Sequence, residues 1–142
     1  MITSFTFLGS VIENEGKCDM EIKRRVAIGK AAMTGMEKIW KDKHVSIDTK
    51  KRLVRAMIFP TVLYGCETWT MTKNLEKKIN ACEMWIWRKM QRISWMEKKT
   101  NEEVRLKIGV ENDETLQQNG VKKKARVLWA YHEIKWIGQG SK

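Results

Sequence analysis

Apolar residues recur at helical spacing through most of the chain, and that rhythm divides it into predicted elements. From Asp19, a plausible N-cap, Ile22, Val26, Gly29, Met33, Met36 and Trp40 follow at steps of three and four, which places them on one narrow helical stripe. Lys23, Lys30 and Lys41 lie at near-whole numbers of turns and form a cationic flank beside it. Ser46 or Asp48 opens a second predicted helix, with Lys50, Lys51, Arg52 and Arg55 in its first turns and an uncharged stretch from Ala56 to Tyr64. Cations at a helix N-terminus oppose the macrodipole, a cost that a nearby anion would offset. Pro60 must kink or restart this helix, and Gly65 ends it.

A third helix is predicted after Thr72. Leu75, Ile79, Cys82, Ile86, Met90 and Ile93 share a stripe, Met84 and Trp87 lie opposite, and Trp85 sits on a flank. A helix apolar on two sides is expected between neighbours, so these tryptophans read as core before they read as base-stacking platforms. Thr100 to Glu103 spells a capping box that opens a short helix through Val104 and Ile108, closed by Gly109. Residues 111–120 read as a polar loop or frayed helix. Val121-Lys122-Lys123-Lys124-Ala125-Arg126 then begins a basic-to-apolar amphipathic helix that could grip phosphates or a partner. At the other end, residues 4–12 mix aromatic and β-branched positions around a Gly-Ser break and predict a short strand or hairpin edge. A lone edge of this kind is unstable, which points to sheet partners beyond this sequence.

The expected fold is therefore mainly α, a helical bundle with a short N-terminal β element. Its expected parts are residues 1–16 (β element), 17–110 (helical region) and 111–142 (polar loop and basic C-terminal helix). Composition changes this picture in one respect. The 142 residues carry a formal charge of +11, with Lys and Arg spread along the whole length, which favours a polyanionic partner over a merely solvated surface. Three cysteines, odd in number and without paired spacing, suggest a reducing intracellular setting, nuclear or cytoplasmic. The N-terminus lacks the pattern of a secretory signal, and the longest apolar run, Ala56 to Cys66, is too short to span a bilayer.

Catalytic patterns are sparse. A polymerase needs carboxylates converging on paired Mg2+ ions, whereas the adjacent acidic pairs here, Glu102-Glu103 and Asp113-Glu114, fit a capping box and a polar loop. His44 and His132 stand at no ligand spacing with a cysteine. The residues describe a basic helical binding module with no cofactor of its own.

Several strings, in order, resemble the region after the catalytic aspartates in non-LTR (LINE-like) retrotransposon reverse transcriptases. They are Phe5-Thr6-Phe7-Leu8-Gly9-Ser10, Cys18 to Arg25, Ile39-Trp40-Lys41, Leu63-Tyr64-Gly65-Cys66-Glu67-Thr68-Trp69, Ile93-Ser94-Trp95 and Thr100 to Val104, together covering about residues 5–110. The resemblance implies that Phe7, Leu8 and Gly9 correspond to the element closing the palm near the primer grip, and that the helices correspond to the thumb. A thumb lays basic side chains along a primer-template duplex and recognises an RNA–DNA hybrid by backbone and shape. On that basis Lys23, Arg24, Lys30, Lys41, Lys50 and Arg55 are candidate phosphate contacts, joined by Lys122, Lys123, Lys124 and Arg126. Near the C-terminus, Ile134-Lys135-Trp136-Ile137-Gly138-Gln139 looks like the family's Trp-Leu-Gly-His element with glutamine in the histidine position. The catalytic palm, its Mg2+ and any endonuclease would then lie upstream in a longer reading frame, and this chain alone is not expected to be an enzyme. The rival expectations are a helical protein-interaction module, self-associating through exposed apolar surface, or a decayed element without a selected function.

Overall fold

The computed structural model describes residues 4–7, 10–13, 19–66, 69, 72–110 and 115–123, the first two stretches as backbone only and Trp95 without its side chain. Most of it is helical. β1 (Ser4–Phe7) and β2 (Ser10–Glu13) pair antiparallel, with Phe5 opposite Ile12 and Thr6 opposite Val11, and β2 lies beside the first helix.

Helix α1 (Asp19–Gly35) buries Ile22, Gly29 and Met33, as the stripe predicts. The stripe continues to Trp40, but the helix does not: a turn at Met36 starts a separate α2 (Glu37–Lys41). Two local bonds accompany the break. Thr34 Oγ1 donates back to the Lys30 carbonyl at 3.0 Å, and the buried Trp40 indole Nε1 donates to the Met33 carbonyl at 2.8 Å, occupying an acceptor near the end of α1. The cationic flank is split as a result. Lys23 and Lys30 remain on α1, while Lys41 turns toward another face.

Helix α3 (Ile47–Leu53) is capped by Ser46, whose hydroxyl accepts from Thr49 N. It runs through a π-helical segment (Val54–Ile58) into α4 (Phe59–Val62). Pro60 accounts for that widening: lacking an N–H, it cannot continue the usual ladder, and Phe59 N instead reaches the Val54 carbonyl. Two of the cations at the start of α3 meet partners within the protein. Lys50 Nζ donates to the Trp40 carbonyl at 3.0 Å, and Lys51 Nζ to the Gly109 carbonyl at 3.0 Å, both at helix C-termini where the dipole is negative. The uncharged stretch is mostly core, with Ile58, Phe59, Val62 and Leu63 buried and Met57 and Tyr64 exposed.

Helix α5 (Lys73–Gln91) is capped by Thr72 and packs against α1, α2 and α6 (Asn101–Ile108). Both its predicted stripe and the opposite residues Met84 and Trp87 are buried, so the helix is sandwiched. Trp87 meets Phe59 edge-to-face at 5.5 Å between ring centroids. The Thr100–Glu103 capping box forms in full, and Gly109 closes α6 with φ +72°. The last helix among the described residues, α7, covers 116–123 and begins within the segment read as a polar loop or frayed helix. Two acceptors start it early: Thr115 Oγ1 accepts from Gln118 N, and the Glu83 carboxylate of α5 accepts from Leu116 N at 3.1 Å. Leu116 itself is fully buried.

Gly29 sets the approach of α1 to α4. A Cβ there would overlap Val62 Cγ2, and Val62 is itself buried. Alanine gains up to about 1 kcal/mol in helix propensity, but overpacking a tight core costs roughly 1–3 kcal/mol. Gly29→Ala is expected to lower stability in urea denaturation, and Val62→Ala in the same chain to recover part of the loss. A Gly29→Ala protein as stable as the parent would contradict this close packing.

Candidate nucleic-acid interface

Cationic side chains line three depressions, and each has its own chemistry. The first is a cleft of about 450 Å³ between α2 and the C-terminal half of α5. Lys41, Arg88, Lys89 and Arg92 line it with Trp40, Trp85 and Ser94, and Glu37 is its carboxylate. Lys41 Nζ pairs with Glu37 Oε1 at 3.0 Å. That bond, with further attraction from Lys89 and Arg92, holds the Glu37 carboxyl below the usual carboxylate range. Four cations against one carboxylate leave the cleft strongly positive.

Arg92 occupies this cleft in an unusual backbone state. It closes α5 at φ 56°, ψ 36°, the left-handed conformation that helix C-termini commonly assign to glycine. A residue with a Cβ costs about 1 kcal/mol in this conformation, and here its side chain lines a basic cleft. Arg88, one turn earlier, is buried and donates from its guanidinium to the Lys99 carbonyl at 2.7 Å and Asn101 Oδ1 at 3.3 Å, which fastens the connection to α6 against this wall.

The second depression, about 680 Å³, lies between α1 and α5 and is mainly apolar, with Lys23, Lys30 and Lys78 among its lining residues. Lys30 Nζ stands 5.2 Å from the centroid of the Trp85 ring, a cation–π contact. Cys82 also lines it, its thiol pushed up to about 11 by burial despite opposing attraction from Lys30. The third is a cleft of about 270 Å³ between α4 and α7, lined by Arg55, Lys122 and Lys123 with Phe59, Pro60, Leu63 and Asn119. Lys123 Nζ donates to the Leu63 carbonyl and approaches the Tyr64 ring, over which Arg25 also sits at 4.4 Å.

The candidates named from the sequence thus divide among separate places. Lys23 and Lys30 share the α1–α5 groove, Lys41 the α2–α5 cleft, and Arg55, Lys122 and Lys123 the α4–α7 cleft. Arg24 is exposed and pairs with the buried Glu21 at 3.5 Å, and Lys50 is turned to the Trp40 carbonyl. Phe7 ends β1, while Leu8, Gly9, Lys124 and Arg126 lie outside the described residues. Lys78, Arg88, Lys89 and Arg92 were missed by the sequence reading. Lys78 and Lys89 share a face of α5 with Trp85, and Arg92, the C-cap residue, follows three positions after Lys89, a helical spacing that could have marked them.

Cys66 and Cys82 are buried, and His44 is exposed. Among the described residues no three His, Cys, Asp or Glu side chains gather as a metal site, and no helix is long and apolar enough to cross a membrane. Compared with known protein families, curated proteins and solved structures, the chain matches none.

Proposed function

We propose that this chain is the duplex-holding, thumb-like part of a LINE-like reverse transcriptase, and that it binds the backbone of an RNA–DNA hybrid or DNA duplex without reading sequence. One observation carries the reading: the α2–α5 cleft, where Lys41, Arg88, Lys89 and Arg92 surround a single carboxylate and Arg92 holds a backbone state that favours glycine. Phosphates suit such a cleft because each neutralised charge releases counterions. The half-buried Trp85 and the buried Trp40 form part of its wall. The resemblance in ordered sequence strings supplies the parent enzyme, and the activity proposed for this chain is binding alone.

Titrating the chain with a fluorescent RNA–DNA hybrid at several salt concentrations tests the proposal. Four neutralised phosphates, one for each cation of the cleft, would give a log–log slope of roughly −3.6 on a DNA duplex. Arg92→Gly gives the more pointed result, because its two effects have opposite signs. Relief of the left-handed backbone should stabilise the fold by about 0.5–1 kcal/mol, while the loss of one phosphate contact should weaken binding and flatten the slope by about 1. Affinity that ignores salt, or that survives Arg92→Gly unchanged, would reject the assignment of this cleft.

A further inference from the structure

The α1–α5 groove differs from the two basic clefts in what lines it. Its walls are Ile22, Val26, Ala27, Ala81, Met84 and Trp85, with Cys82 at 3% exposure between them. Ala27 and Ala81 are exposed and small, so neither wall fills the space between the helices. Lys23 and Lys30 from α1 and Lys78 from α5 supply the charge. Asp19 of α1 pairs with Lys78 at 3.3 Å.

An apolar trough with three lysines is a poor seat for a phosphodiester backbone. Its charges would have to lie against hydrocarbon, with partners only at the edge. It is a good seat for a helix that presents apolar side chains on one face and carboxylates beside them. From Ile22 to Lys30 along α1, and from Lys78 to Trp85 along α5, the groove runs about two helical turns, or roughly 12 Å. That length admits apolar anchors at i, i+3 or i+4, and i+7 of a bound helix. Lys30, its ammonium over the Trp85 ring, is held near the trough, where a partner carboxylate can reach it.

We infer that the α1–α5 groove is a docking surface for an acidic amphipathic helix of another protein. The occupant buries its apolar face on Ala27, Ala81 and Trp85 and sets its carboxylates against Lys23, Lys30 and Lys78. Trp85 also lines the α2–α5 cleft, so the docked helix would border the proposed nucleic-acid site without covering Lys89 or Arg92.

Fluorescence anisotropy of the full chain with a labelled synthetic helix, leucines along one face and glutamates beside them, tests this directly. Saturable binding is expected. It should fall about tenfold or more with Ala81→Glu, whose carboxylate would occupy the groove and pair with its lysines, and also with Lys23→Glu. Arg92→Gly should leave it unchanged, which separates this surface from the phosphate cleft. Circular dichroism melts establish that the three variants, all at exposed positions, remain folded. Absence of saturable binding, equal affinity for a scrambled peptide or one with lysine in place of glutamate, or full affinity in Ala81→Glu would each overturn the inference. Loss of duplex binding in Ala81→Glu without any peptide affinity would assign the groove to nucleic acid instead.

Discussion

Glu83→Ala is expected to remove about 3–5 kcal/mol of stability, because it deletes a buried charge whose partners remain inside. The Glu83 side chain is fully buried within α5. Its Oε1 accepts from Trp87 Nε1 at 3.1 Å, its Oε2 from Leu116 N at 3.1 Å, and the Arg105 guanidinium lies 3.9 Å away. One carboxylate therefore joins three elements: its own helix, α6 through Arg105, and the first turn of α7 through Leu116. Without it, an indole N–H and a helix-opening amide are left unsatisfied, and the Arg105 charge loses its counterpart. Urea denaturation should show a lower midpoint, and hydrogen exchange should show early loss of protection across 116–123. Glu83→Gln keeps an acceptor but not the charge, so its cost should be smaller, about 1–3 kcal/mol. An alanine variant within about 1 kcal/mol of the parent would mean that this carboxylate does not hold α7.

The second large effect is expected at Trp87, where truncation to alanine should cost about 3–5 kcal/mol. The indole is fully buried, meets the Phe59 ring edge-to-face at 71° between planes, and donates to Glu83. Alanine thus opens a cavity between α5 and the α4 region and strips Glu83 of a donor in the same step. Since small domains are stable by only about 5–15 kcal/mol, either substitution consumes a large share of the total. Trp87→Phe separates the two contributions, retaining most of the volume and losing the N–H. Combined with Glu83→Gln in a double-mutant cycle, it should show a coupling energy of about 0.5–3 kcal/mol. Strict additivity would mean that the indole–carboxylate bond is energetically idle.

Helix starts were the most legible feature of the sequence. Ser46, Thr72 and Thr100 each accept from the third residue of the helix that follows, a relation confined to four consecutive positions. The two-sided apolar pattern of α5 likewise announced a sandwiched helix. Expectations failed, or stayed open between loop and helix, where a distant group competed with a local signal. The break at Met36 is accompanied by an indole seven residues from its acceptor, and α7 begins where a carboxylate 33 positions away meets Leu116 N. The cations at the start of α3 gave a third case, since the helix ends they face lie on α2 and near Gly109.

The candidate site was legible only in its charge. Composition and the spread of lysines and arginines favoured an anionic partner, but the cationic flank of α1 was traced as one ladder, and the break at Met36 divides it. Lys89 and Arg92 drew no reading from the sequence, and became candidates once α2 lay beside them with Lys41 and Glu37.

By itself, then, the sequence determined that the protein is mainly helical, where most helices start, which faces are apolar and that the whole is strongly basic. These properties depend on residue type and on spacing within a few turns. Only the tertiary structure decided that Glu83 is a buried junction, that Lys50 and Lys51 serve neighbouring helix ends, and that the cations sort into two polar clefts and one apolar groove. The physical reason is that charge and hydrogen-bonding capacity belong to a side chain, whereas its partner is fixed by which helices meet.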